Sequence, residues 1–168
     1  MVSSRDELGI IAKIGAKLKS LGYHAGNSTI VTVSPDYSAM FGQIIRHKLS
    51  HNGEICQGFS IEVPYPDQYW DETYIHDIKQ QVLSNMHQIK YTNCILVEAA
   101  IIRGGNYTTI VDYITSKFNE AKIVTVAMYE NVHSKFKSNI VGEYYDDNTQ
   151  DLTFWWEEEN NHWITKKP

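Results

Sequence analysis

The stretch CILVEAAIIRGGNYTTIVDYI, residues 94–114, opens as an apolar run, passes a glycine pair and continues with apolar residues at helical spacing. An apolar run of this length that ends at a turn signal reads as a buried strand, and Ile110, Tyr113, Ile114 and Phe118 then mark one face of a helix. The segment is therefore expected to be a strand, a glycine turn and a helix. One residue breaks the pattern. Glu98 places a carboxylate at the carboxyl end of the buried strand, with four residues between it and the basic residue and glycines that follow. Such a group costs free energy unless it faces a ligand crevice, a cation or a hydrogen-bond donor, and a salt bridge to Arg103 or to a lysine would also satisfy it.

The same alternation extends outward along the chain. Ser4 and Glu7 form a capping box ahead of Leu8, Ile11, Ile14, Leu18 and Leu21, a first helix that stops at Gly22. STIVTV, residues 28–33, is β-branched from Thr29 onward and stops at Ser34-Pro35, where the ring denies the ladder a donor. From Asp36 the period changes, with Met40, Ile44, Ile45 and Leu49 on one face of a second helix ended by HNG at 51–53. ICQGFSIEV, residues 55–63, is strand-like, and PYPDQYW, residues 64–70, is the most irregular segment. Ile75, Ile78, Val82, Met86 and Ile89 form the core stripe of a third helix. KIVTVAMY, residues 122–129, is another buried strand, and DLTFWWEEENNHW, residues 151–163, is expected to close an edge of the sheet.

Strands alternating with helices indicate an α/β fold, a mostly parallel central sheet joined by right-handed crossovers and covered by helices on both faces. The chain, residues 1–168, reads as one domain. In such sheets ligands bind beyond the carboxyl ends of the strands, which singles out two loops, 34–38 and 102–107.

Composition bounds the function. A net charge of -5 argues against sequence-independent nucleic-acid binding, which draws its affinity from Lys and Arg on phosphates. Cys56 and Cys94 have no CxxC or Cys/His metal spacing and read as two reduced, buried thiols. Arg5, Asp6 and Glu7 stand where a signal peptide would be apolar, and no run reaches the length of a membrane span, so a cytoplasmic protein without membrane contact is expected.

A strand-to-helix turn presents backbone N–H groups that lack intrahelical partners, and the helix dipole adds partial positive charge, which together suit a phosphate. Gly104 and Gly105 can take positive φ, and Asn106 or Thr108 could cap the helix. GxGxxG and GxxxxGK[ST] are both absent, so the dinucleotide and P-loop readings fall.

Residues 94–106 resemble the signature of the type I phosphoribosyltransferases: four apolar residues, two acids, a short apolar link and a threonine-glycine turn that opens a helix. Cys94, Ile95, Leu96 and Val97 match the apolar run, Glu98 the first acid, Ala100 and Ile101 the link, Gly104 and Gly105 the turn, and Asn106 its closing position. KIVTVAMY is similar to the family's next strand. FWWEE, residues 154–158, looks like the Phe-Pro-Trp-Glu ending of the purine-type bacterial enzymes. VSPDYSAMFGQIIRHKL, residues 33–49, falls where the family has a strand, a pyrophosphate loop and a helix. The family's mobile hood corresponds to about residues 53–74.

The resemblance implies phosphoribosyl pyrophosphate held with magnesium, displacement of pyrophosphate by a nitrogen nucleophile, and specific roles for residues. Glu98 would bond the ribose and ligate the metal. Arg103, Gly104, Gly105, Asn106 and Tyr107 would hold the 5'-phosphate, and Ser34, Pro35, Asp36 and Tyr37 the pyrophosphate. Catalysis would rest on Glu98 and Arg103. The chain departs from the pattern in several places: Ala99 replaces the second acid, Ile102 the acid before the turn, Arg103 the threonine, and Asn131 and Asp151 a lysine and an aromatic of the purine enzymes. Two readings stay open. In one, a catalytically depleted copy binds a phosphate-bearing ligand or a protein partner; in the other, an active transferase uses an unidentified nitrogen acceptor. A homodimer also stays open.

Other constellations read as structural. His47 and His51 stand four apart but lack a third metal ligand, Ser34 has no triad partners, and HSKFKSN, residues 133–139, reads as a solvated basic loop. Tyr65, Tyr69, Trp70 and Tyr74 read either as a hydrophobic satellite or as a stacking surface.

Overall fold

The structure is a computed structural model that describes residues 7–34, 37–63, 72–146 and 148. The strand, glycine turn and helix expected over residues 94–114 are present. Strand β3, Asn93–Ile101, passes through Gly104 into helix α4, Gly105–Lys117. Before it come α1 (Glu7–Ser20), β1 (Ser28–Ser34), α2 (Tyr37–Lys48), β2 (Gly58–Glu62) and α3 (Glu72–Asn85); after it come β4 (Lys122–Asn131) and β5 (Ile140–Tyr145). The strands form one sheet in the order β2-β1-β3-β4-β5, and every pairing is parallel.

Each face of the sheet has its own core. Ile30, Ile95, Val97, Val126 and Met128 pack with Ile10, Ile11, Ile14 and Leu18 of α1 and with Phe41, Ile45 and Leu49 around α2. Val31, Val33, Leu96 and Ala127 pack with Ile78 and Val82 of α3 and with Tyr107, Ile110 and Ile114 of α4. Alternate residues of one strand thus enter opposite cores, which is why the inner strands read as continuous apolar runs. The α/β class and the helices on both faces are as expected.

Three details differ from the sequence reading. Leu8 of α1 and Leu21 just after it are exposed, and Ile10 is buried in their stead. In α2 Met40 is exposed while Phe41 is fully buried. Both shifts follow from a helix face wide enough to accept either neighbour of the assumed stripe. Of the third stripe, Ile78 and Val82 are fully inside, and Ile75, Met86 and Ile89 are half-buried. The sheet's outer edge beyond β4 is β5, a strand that the sequence reading passed over. The edge-closing segment 151–163, Ser4 of the capping box and residues 64–71 of the hood lie outside the described residues. Within the rest of the hood span, residues 58–62 are strand β2, paired with β1.

Candidate functional site

The strand order fixes where a ligand crevice opens. From β1 the chain steps outward to β2, then returns to lay β3 on the other side of β1, so the sheet's winding reverses between β1 and β3. At such a point the connections leave in opposite directions and a cleft forms beyond the carboxyl ends of the two strands. The loops that follow β1 and β3 are the two singled out from the sequence. A hydrogen bond joins them at their base: the Ala99 N–H of β3 donates to Ser38 Oγ in the first turn of α2, at 2.9 Å, with both residues buried.

Ser34 ends β1 and Tyr37 begins α2, while Pro35 and Asp36 lie outside the described residues. Glu98 is 9% exposed and lies in the carboxyl half of β3, three residues short of its end at Ile101, opposite Ala127 of β4. It lies on the α4 side of the sheet, where it and Glu130 both act on Tyr107. Tyr107 is completely buried, and its hydroxyl donates to the Val126 carbonyl at 2.9 Å. Burial, and then the charges of Glu98 and Glu130, push its ionisation well above the usual tyrosine range.

The turn itself is tighter than expected. Gly104 has φ +81° and caps α4 without a side-chain hydrogen bond, while Gly105 is already the first helical residue. Left-handed geometry therefore falls on Gly104 alone of the pair, and neither Asn106 nor Thr108 is the cap. Thr108 Oγ1 instead donates back to the Gly104 carbonyl at 3.1 Å. The amides of Gly105, Asn106 and Tyr107 occupy the first turn, where intrahelical acceptors are missing. Arg103 is exposed beside them and, among the described residues, forms no ion pair.

Residues 132–139 keep His133, Lys135, Lys137 and Asn139 exposed, as a solvated basic loop would, but bury Ser134 and half-bury Phe136. They carry the chain from β4 back to β5 and lie against the glycine turn. A side chain at position 104 would collide with Phe136 Cβ and approach Ser134 Oγ to 3.0 Å. The Phe136 ring meets Tyr107 edge-on at 5.1 Å between centroids. Beneath this crossover Glu130 is fully buried; it accepts the Ser138 N–H at 2.8 Å, and Lys137 Nζ lies 3.6 Å from its other oxygen. Asn131 is buried as well and accepts the His133 N–H at 3.0 Å. The signal that exposed Glu98, a carboxylate at the end of an apolar strand, is repeated at Glu130 in YEN and was missed there.

Position 99 is explained by packing. Ala99 alternates with Glu98 and so faces the opposite core, against α1 and α2, where it is 1% exposed. Ile102 is half-buried in the turn. His47 and His51 do not share a helical face, because α2 stops at Lys48 and His51 pairs by backbone with Glu54. Cys56 and Cys94 are buried free thiols, as expected. Among the described residues no three His, Cys, Asp or Glu side chains gather at a metal-sized spacing, and no helix is long and apolar enough to cross a membrane.

No family model and no curated protein matches the sequence. Solved structures do match the fold. The purine phosphoribosyltransferase of Pyrococcus horikoshii superposes with TM-score 0.63 at 10% identity, covering 92% of this chain and 91% of its own. The xanthine-guanine-hypoxanthine phosphoribosyltransferase of Helicobacter pylori gives 0.61 at 10% identity, covering 96% and 92%. A Leishmania tarentolae HGPRT-ase in complex with GMP gives 0.53 at 13% identity, covering 88% and 81%. The fold is the type I phosphoribosyltransferase fold. The likeness to these phosphoribosyltransferases is one of architecture, at 10–13% sequence identity.

Proposed function

We propose that the crevice between the loops after β1 and β3 binds a phosphoribosyl compound or another phosphate-bearing small molecule, without the full catalytic set of the enzymes it resembles. The observation that carries this reading is the position of Glu98 and the Gly104 turn at the reversal of the sheet's winding, tied by the Ala99–Ser38 hydrogen bond to the start of α2. An anion at the first turn of α4 would meet free amide hydrogens and the positive end of the helix dipole. Arg103 would add a planar, permanently charged donor suited to phosphate oxygens. Glu98 would accept hydrogen bonds from ribose hydroxyls. The loop at residues 34–37 would be the partner of a second phosphate.

Magnesium fits this set in one way. A hard cation of that size is held by one or two carboxylates together with the oxygens of a bound phosphate compound, and Glu98 would be the protein's carboxylate. Bound there, the ion would neutralise phosphate charge. Glu130 cannot join it from its present position, since its carboxylate is enclosed by Ser138 and Lys137.

The depleted reading is preferred on the residues themselves. With an alanine turned into the opposite core at 99 and an isoleucine at 102, the described residues that follow Glu98 into the turn supply neither a second ribose acceptor nor a group able to take a proton from an incoming nitrogen. Calorimetric titration of phosphoribosyl pyrophosphate with magnesium, repeated on Glu98→Ala and Arg103→Glu, tests the proposal. Saturable binding that both variants weaken supports it. Pyrophosphate release in the presence of amines would convert the reading to an active transferase. A folded protein with no binding would refute the ligand site and point to a protein partner.

A further inference from the structure

The crevice opens at the carboxyl ends of the strands. Because every pairing in the sheet is parallel, the opposite pole collects the strand beginnings together with the carboxyl ends of the helices. That pole is strongly positive. Lys17 and Lys19 end α1, Arg46 and Lys48 end α2, and Lys117 ends α4. Cations there complement the helix dipoles, which by itself would account for them. Lys90 and Lys122 have no such reason, since the first lies in the link from α3 to β3 and the second opens β4. Among the described residues the acids at this pole are Glu54 and Glu120, and none of these cations forms an ion pair. In a chain of net charge -5 the acids collect toward the other pole, Glu7 and Glu72 in first helical turns and Glu62, Glu98 and Glu130 toward strand ends.

Contacts join these ends into one surface. The Ala25 N–H, after α1, donates to the Leu49 carbonyl, after α2, at 2.9 Å, and the rings of His24 and His51 lie 4.4 Å apart between centroids. The Lys122 N–H donates to the Thr92 carbonyl at 2.7 Å, and its ammonium stands 5.9 Å from the centre of the Tyr23 ring. Leu21 and Ile55, 52% and 41% exposed, add apolar side chains to the same pole.

The kind of cation points to the partner. All but Arg46 are lysines, and Arg46 is engaged, its Nε donating to the Cys56 carbonyl at 2.8 Å and its Nη1 to Gln43. Protein interfaces are depleted in lysine and enriched in arginine, whose planar fork fixes geometry. Hydrated point charges spread over a broad face, with a few exposed apolar side chains among them, suit instead a sheet of diffuse negative charge above a hydrocarbon layer. We propose that this pole docks on an anionic lipid surface, with Lys19, Lys48 and Lys122 among its contacts and the crevice turned toward solution. Such peripheral docking needs no membrane-spanning helix, and it is independent of the phosphoribosyl reading.

Co-sedimentation of the full chain with two kinds of vesicle tests the proposal: phosphatidylcholine alone, and phosphatidylcholine with roughly one-third phosphatidylserine. Binding to the anionic vesicles only is expected, with release at about 0.5 M salt, where charges are screened within a few ångströms. The triple variant Lys19→Gln, Lys48→Gln, Lys122→Gln, its folding checked by urea midpoint, should bind about a hundredfold more weakly, about fivefold for each lysine. Arg103→Glu, at the crevice, should bind nearly as the wild type does. No binding by the folded wild type, or undiminished binding by the triple variant, would overturn the proposal. An equal loss in Arg103→Glu would also overturn it, by placing the lipid headgroup in the crevice. Capture by soluble polyglutamate without vesicle binding would reassign the pole to an acidic polypeptide.

Discussion

The backbone N–H of Ala99 donates to Ser38 Oγ across 2.9 Å, so one buried hydrogen bond joins the strand that ends in the glycine turn to the helix that opens after the first loop. Ser38 is 2% exposed, which leaves water no access to the amide once the hydroxyl is removed. Ser38→Ala is expected to cost about 1–3 kcal/mol, the penalty of an orphaned buried donor. Urea unfolding should show a lower midpoint at an unchanged slope. If the two loops form one site, the same variant also weakens phosphate-ligand binding by more than Thr115→Ala, a control at an exposed position near the C-terminal end of α4. A variant as stable as wild type would show that the bond does not hold the loops in register.

Gly104 is constrained twice, by φ +81° and by Phe136 Cβ against its open side. Left-handed geometry costs a side-chain-bearing residue about 1–2 kcal/mol. Overpacking adds about 1–3 kcal/mol. Because the obstructing atom is Cβ, Phe136→Ala should not rescue Gly104→Ala, whereas Phe136→Gly should recover the steric part and leave the backbone part. A double-mutant cycle read by chemical denaturation distinguishes them. Rescue by Phe136→Ala would mean that the ring, not the backbone approach, sets the constraint.

The fold was legible because the strongest signals were periodic. Val31, Val33, Leu96 and Val97 read as buried strands whichever face each one joins, and the turn at Gly104 announced the helix after it. What escaped had weak or competing signals. IVGEYY at β5 mixes a glycine and a glutamate into a short edge strand, so its apolar pattern is broken by the exposure that edge position allows. HSKFKSN is polar by count, yet its single aromatic and its backbone make the contacts that close the α4 side of the sheet. The site was legible at Glu98 and the turn, which lie within one stretch of chain. It was not legible at Ser38, Ser134, Phe136 and Glu130, whose roles depend on contacts between distant segments.

Glu130 and Lys137 form an unequal pair: the carboxylate is fully buried and the lysine 55% exposed. Water can replace much of what the lysine supplies, so Lys137→Ala should cost under about 1 kcal/mol. Glu130→Ala removes the acceptor of the Ser138 N–H and opens the space beneath the crossover, with an expected cost of about 2–3 kcal/mol. Glu130→Gln keeps an acceptor and should fall between them. Hydrogen exchange at Ser138 would report the local effect directly. Fast exchange in Glu130→Ala but not in Lys137→Ala is the expected pattern, and equal protection in both would show that the crossover holds without the carboxylate.

Cys94, Cys56 and Tyr107, buried in their neutral forms, set an alkaline limit on stability. Burial pushes the Cys94 thiol from its ordinary 9.0 to about 12 and Cys56 to about 11, the latter with its Sγ donating to the Ser28 carbonyl; Tyr107 is also raised. A raised native value means that the folded chain keeps a proton that the unfolded chain releases. The stabilisation is complete below the unfolded value near 9 and disappears as pH rises toward 11 and 12. Within that window each thiol should lower stability by about 1.4 kcal/mol per pH unit. Urea midpoints at pH 8, 9 and 10 should therefore be flat at first and then fall, and a Cys56→Ala/Cys94→Ala variant should fall less steeply. Below pH 9 the same thiols should resist an aromatic disulfide reagent in the native protein, because the reactive thiolate is absent and the sulfur is enclosed. An identical alkaline slope in the double variant would assign the loss to other groups, with Tyr107→Phe as the next comparison.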